Sequence, residues 1–154
     1  MVRPGSSLGS TSYWIVVADE FQAHFYASEK KFGPLQEFSS FENETAREKL
    51  EDLVSDRGGR SFDSQGAARH TYNEEKSNLK TRSYDVFAKN LAERIREGRL
   101  NHKFDKLVVI AAPRFLGVLR KSLEAKGLKS ELTIDKDVTN RDAAFIRQLL
   151  DEHM

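Results

Sequence analysis

Leu107-Val-Val-Ile-Ala111 runs without a polar break, the pattern of a strand buried on both faces. Pro113-Arg114 comes shortly after this strand. Leu116, Leu119 and Leu123 then recur at helical spacing, and Gly127 marks the stop. Leu128 to Ile134 reads as the next strand. Strand, helix and strand in this order form a crossover unit, so the two strands should lie parallel. Upstream, Leu79, Tyr84, Phe87, Leu91 and Ile95 predict another helix, with Gly98 as its stop. Downstream, Thr139 with Asp142 three residues on resembles a capping box that opens a last helix through Ile146 and Leu150.

The first half of the chain has a shorter rhythm. Tyr13-Trp-Ile-Val-Val-Ala18 is rich in aromatic and β-branched residues, as a buried strand should be. Ala23-His-Phe-Tyr-Ala27 follows after a few residues, which suits an antiparallel hairpin. Phe32-Gly33-Pro34 is a turn signal, and Leu35 to Phe41 reads as a third strand at an edge. Glu44 to Leu53 places Ala46, Leu50 and Leu53 on one side of a short helix.

The expected order is β-β-β-α-β-α-β-α: an α/β chain with a mixed five-stranded sheet flanked by helices. That order is the one of the ribonuclease H-like fold. With 154 residues the chain is long enough for one domain with a real core. Residues 13–154 are assigned to that domain. Residues 1–12 are small and polar, read as a disordered tail, and carry no secretory signal pattern.

Composition excludes several classes. The chain has no cysteine, which rules out disulfides, thiolate metal sites and a cysteine nucleophile. The longest apolar run ends at Pro113 and is far short of the roughly 20 residues that span a bilayer. No membrane association is expected, and the cytoplasm is the expected location. Net charge is only +1, yet it is unevenly spread. From Glu29 to Val54 acids outnumber bases seven to four, and from Arg57 to Arg82 bases outnumber acids six to three.

The segment Ser55 to Asn73 is rich in Gly, Ser, Arg and Asp, with little apolar periodicity, and reads as a long loop. Within it, Gly58 and Gly59 allow positive φ angles that turn backbone amides toward an anion. Arg57 and Arg60 add forked donors suited to phosphate. Arg69 and His70 extend the basic surface, with Lys76, Lys80 and Arg82 beyond them. The alternative is a polar loop whose arginines pair with Asp56 and Asp63. Arg114 is a second-rank candidate, because it follows a strand at the carboxyl edge, where such sheets bind ligands.

Metal chemistry is not expected. Asp19 ends the first strand, but Ala111-Ala112-Pro113 offers no second acid beside it, and Asp19 reads as a turn residue. Asp135 and Asp137 read as the approach to a helix. His24, His70, His102 and His153 show no ligand spacing. His70 is the weak candidate for a general base. Phosphate-loop, dinucleotide-binding and nucleophile-elbow patterns are absent, and no cofactor is expected.

Trp14-Ile-Val-Val-Ala-Asp19, Ala23-His-Phe-Tyr26, Ser55-Asp-Arg-Gly-Gly-Arg60 with His70, Phe104 to Pro113, Leu116-Gly-Val-Leu-Arg120 and Lys136-Asp137 occur in a characteristic order. Together they resemble the bacterial host attachment protein family, over about residues 13 to 150. The family's usual Ser-Asp-Arg-Pro-Gly-Arg has Gly58 here in place of proline. That family is in turn similar to the central domain of the class 1 release factors of eukaryotes and archaea. There a Gly-Gly-Gln loop before a long helix promotes peptidyl-tRNA hydrolysis. The resemblance implies tRNA or ribosome binding by Arg57 to Arg60. Arg60 occupies the place of the glutamine, so release catalysis is not implied. Two other readings stay open: an interaction factor that supports host-cell attachment indirectly through a protein partner, and an ester or phosphoester hydrolase using His70.

Overall fold

The computed structural model describes residues 11–30, 33–48 and 66–153, with side chains placed except at 66–81. The elements are β1 (Tyr13–Ala18), β2 (Gln22–Ser28), β3 (Gln36–Glu42), a helical stretch α1 at 44–48, α2 (Gly66–Leu100), β4 (Lys106–Ala111), α3 (Pro113–Ala125), β5 (Leu132–Asp135) and α4 (Ala143–His153). They build a mixed α/β fold around one five-stranded sheet in the order β3-β2-β1-β4-β5. β2 is antiparallel to both β1 and β3, while β1-β4 and β4-β5 are parallel.

Both central strands are buried on two faces, as their unbroken apolar runs require. Trp14, Val16 and Ala18 of β1, with Leu107, Val109 and Ala111 of β4, join one core with residues of α2 and α3. Tyr13, Ile15 and Val17, with Val108 and Ile110, join the opposite core with Ile146, Leu149 and Leu150 of α4. The period of two along each strand therefore divides the apolar residues between two helical layers.

Helix ends differ from the expected ones in instructive ways. α3 stops at Gly127 as expected: its φ is +71°, and the amides of Gly127 and Leu128 donate to the carbonyls of Glu124 and Leu123. Gly98, by contrast, does not end α2, which continues to Leu100. There the same reversal is made by His102, with φ of +56°; its amide donates to Arg99 O, and Lys103 N donates to Gly98 O at 2.8 Å. Because Leu128 serves this cap and packs back on the core with Leu123, β5 begins only at Leu132 rather than at Leu128.

Thr139 does not cap the last helix. Asp142 does: its Oδ1 accepts from Phe145 N at 2.9 Å and its backbone oxygen accepts from Ile146 N at 3.1 Å. Asn43 caps α1 in the same way, accepting from Ala46 N at 3.3 Å; residues 49–53 of that expected helix lie outside the described residues. The supposed loop from Ser55 to Asn73 is helical from Gly66 onward. Of the expected tail, residues 1–10 lie outside the described residues, and Ser12 is tied to Asp105 Oδ2 through its amide at 3.0 Å and its hydroxyl at 3.2 Å.

α2 is the dominant element. Its 35 residues correspond to about 52 Å at the usual helical rise. Phe87, Ala88, Leu91, Ala92 and Ile95 bind it to the sheet. Gly98 lies beside Trp14 at the start of β1, while Ser83 lies near Glu20, just past the end of β1. The residues before Ser83 therefore run about 25 Å past the carboxyl edge of the sheet.

Candidate functional site

Buried polar side chains concentrate at that carboxyl edge. Asp19, Glu20, Asn43, Ser83 and Thr139 are all buried, and they come from the β1-β2 turn, the end of β3, α2 and the segment before α4. Apolar strands end here, and the backbone groups exposed at their ends need partners.

Asp19 organises the turn. Its Oδ1 accepts from the amides of Phe21 and Gln22, both at 2.8 Å, and its Oδ2 accepts from Thr139 Oγ1 at 2.9 Å. Thr139 also lies 3.3 Å from Asp137 Oδ1. Asp19 is thus the expected turn residue, and Thr139 is spent on it. Asn43 clamps three elements: its Nδ2 donates to Glu20 O at 3.0 Å and Ser83 O at 3.3 Å, and its amide donates to Phe21 O at 2.8 Å.

Glu20 carries a nearly buried carboxylate, 5% exposed, that accepts from Arg114 Nη1 at 2.8 Å. Arg114 itself is 71% exposed, so its guanidinium reaches from a buried anion into solvent. Pro113 opens α3 and places Arg114 at the carboxyl end of β4, against the end of β1. Tyr84 completes the group. Burial raises its phenol above the ordinary 10.0, Glu20 raises it further, and Arg114 opposes them.

Arg114 is therefore where the sequence placed it, at the carboxyl edge, but it is engaged by Glu20. Arg69 and His70 sit on α2 in the part that runs past the same edge. Arg57, Gly58, Gly59 and Arg60 lie outside the described residues, in the segment that leads into α2. Glu20, Asn43 and Tyr84 escaped the sequence reading. The usable signal was Asp19-Glu20, two acids directly after a buried strand.

Among the described residues, no three His, Asp or Glu side chains are grouped to hold a metal ion. Nor is any helix among them long and apolar enough to cross a membrane. The arrangement offers a guanidinium held by the Glu20 carboxylate for contact with a ligand.

No curated protein matches the chain in a sequence comparison. A family model described as "protein required for attachment to host cells" matches residues 14–150, from the second residue of β1 into α4. Nearly the whole fold is covered by that match, and the chain belongs to this host attachment family.

Proposed function

We propose that this host attachment family protein is a cytoplasmic RNA- or ribosome-binding domain of the release-factor-like kind, built on a ribonuclease H-like sheet. The observation that carries the reading is the course of α2. Its first half extends past the carboxyl edge of the sheet, and the Arg57 to Arg60 segment leads into that end. A basic Gly-Gly segment that precedes this end of the helix in sequence is suited to contact an anionic partner. The strand order β3-β2-β1-β4-β5, with a three-stranded antiparallel meander and two parallel additions, supports the ribonuclease H-like assignment. Arg57, Gly58, Gly59 and Arg60 would contact phosphate, with Arg69, His70 and Arg114 as flanking donors.

The test is binding of tRNA and of ribosomes at several salt concentrations, for the wild type and an Arg57→Ala, Arg60→Ala variant. Loss of two phosphate contacts should weaken binding at least about tenfold and reduce the log-log salt slope by about two. Unchanged affinity and slope would overturn the reading. The family description favours a second reading, an interaction factor that supports host-cell attachment indirectly. Recovery of a protein partner without RNA, in the wild type and the variant alike, would favour that one.

A further inference from the structure

β5 lies at the edge of the sheet, beside β4. Its apolar residues Leu132 and Ile134 belong to the core on the α4 side. Alternation along the strand therefore turns Thr133 toward the α3 side. A threonine does not fill the space that a large apolar residue would, and a groove of about 320 Å³ opens between α3 and β5. This is within the size range of small-molecule sites, which start at roughly 300 Å³.

The floor of the groove is apolar. Val109 of β4, Leu116 and Leu123 of α3 and Leu128 after the Gly127 reversal lie along it, all members of one core. Ser130 and Thr133 form a wall, with their hydroxyl oxygens 2.7 Å apart. One hydroxyl proton is used between them, and the other is left to donate.

Charge in the groove is positive. Arg120 and Lys129 line it against a single carboxylate, that of Glu124. Arg120 and Glu124 stand one turn apart on α3 and offset one another, so Lys129 is the excess charge. The next acid along the chain, Glu131, is held by Lys106 Nζ at 3.2 Å. The wider surface has the same sign: from Pro113 to Ser130 five bases stand against Glu124 alone. Of these, Arg114 is tied to Glu20, and Lys126 to a Glu93 that also serves Arg96.

This lining discriminates between ligand chemistries. A nucleotide base would find no aromatic ring to stack on among the described residues of the groove. A bare phosphate would leave the apolar floor unused, and an uncharged hydrocarbon would leave Lys129 without a counter-charge. An apolar body with one anionic head matches both parts. We infer that the groove between α3 and β5 binds an amphiphilic carboxylate of the acyl-chain kind. Its tail lies along Val109, Leu116, Leu123 and Leu128, and its carboxylate is held at Lys129 and the Ser130–Thr133 hydroxyls. The volume accommodates about ten methylene-sized groups, at roughly 30 Å³ each. This site is independent of the Arg57 to Arg60 segment and of RNA.

The experiment is calorimetric titration of the full chain with octanoate, kept below the concentration at which it forms micelles. 1-Octanol supplies the tail without the charge, and acetate the charge without the tail. Octanoate should bind saturably, 1-octanol about fivefold more weakly, and acetate not at all. Lys129→Gln should lower octanoate to the affinity of 1-octanol, whereas Glu124→Gln should tighten octanoate binding about twofold. Neither change should move the binding of 1-octanol. A structural disturbance would weaken both ligands, so the opposite signs separate charge from packing. Thr133→Trp puts a ring into the open space and should abolish binding of both. All three positions are exposed, and an unchanged melting temperature confirms that each variant folds. The Arg57→Ala, Arg60→Ala variant should bind octanoate like the wild type, which separates this site from the tRNA reading. The inference is overturned by absence of binding at millimolar octanoate, by equal affinity for octanoate and 1-octanol, by weaker octanoate binding in Glu124→Gln, or by full binding in Thr133→Trp. Binding of an acidic peptide of alternating Leu and Glu, but not of octanoate, would assign the groove to a protein partner and overturn it too.

Discussion

Gly98 and Trp14 occupy one another's space: a Cβ on Gly98 would stand 2.3 Å from the indole Cη2 of Trp14 and within 3.0 Å of two more ring carbons. A glycine inside an exposed helix costs about 1 kcal/mol relative to alanine, so this one has a packing reason. Gly98→Ala gains that propensity but forces the indole out of a core it shares with Phe25 and Phe104. Overpacking costs about 1–3 kcal/mol, so the expected net effect is destabilisation of up to about 2 kcal/mol. Urea unfolding followed by far-ultraviolet dichroism measures it, and a variant more stable than the wild type would contradict the packing.

The opposite change is expected four residues later. His102 holds a φ of +56°, which glycine adopts without strain. His102→Gly should stabilise the chain by about 0.5–1 kcal/mol in the same unfolding assay.

Thr139 is worth more than its place in a short connection suggests. Its hydroxyl donates to the buried Asp19 carboxylate at 2.9 Å. Thr139→Val keeps the shape and removes that donor, for an expected loss of about 1–3 kcal/mol. Asp142→Ala, which removes the cap of α4, should cost about 1 kcal/mol. The two sites lie three residues apart in one connection, close enough to couple, and unfolding curves of both single variants and the double variant measure that coupling.

Tyr84 provides a pH signature of the edge. Burial and Glu20 raise its phenol and Arg114 lowers it, with a net increase over the ordinary 10.0. The folded chain thus holds that proton more tightly than the unfolded one. The associated stability is complete below the unfolded value and is lost as pH rises through the folded value. Ultraviolet phenolate absorbance, with Tyr84→Phe as the blank, should give a midpoint above 10.0. Glu20→Gln should lower that midpoint and Arg114→Gln should raise it. Shifts in the reverse sense would contradict the placement of the three groups.

The sheet was legible because its signals are redundant. Val108 and Val109 face opposite cores, so neither polar face nor period was needed to place β4. Gly127 was legible as a stop because nothing packs on it. Gly98 was misread because a glycine required by a distant tryptophan looks the same in sequence as one required by a turn. The start of α2 was hidden for a related reason. Helical periodicity arises from one face meeting a core, and the residues before Ser83 run past the sheet. Arg114 could be placed from Pro113 alone, whereas its partner Glu20 could not: an ion pair 94 residues apart in sequence depends on β1 and β4 lying side by side. The carboxyl-edge cluster as a whole has the same origin, since Asn43, Ser83 and Thr139 meet only after the sheet is assembled.

The length of α2 also makes the molecule a lever. Its fulcrum is the Asn43 clamp, which grips the helix at Ser83 and the body at Glu20 with two hydrogen bonds from one amide group. The short arm is packed on the sheet through Phe87, Leu91 and Ile95; the long arm measures about 25 Å from Ser83 to Gly66. A tilt of about 10° at the fulcrum would sweep the tip through roughly 4 Å, close to the thickness of a stacked base. Small adjustments at a single asparagine are thereby magnified at the Gly66 end of the helix.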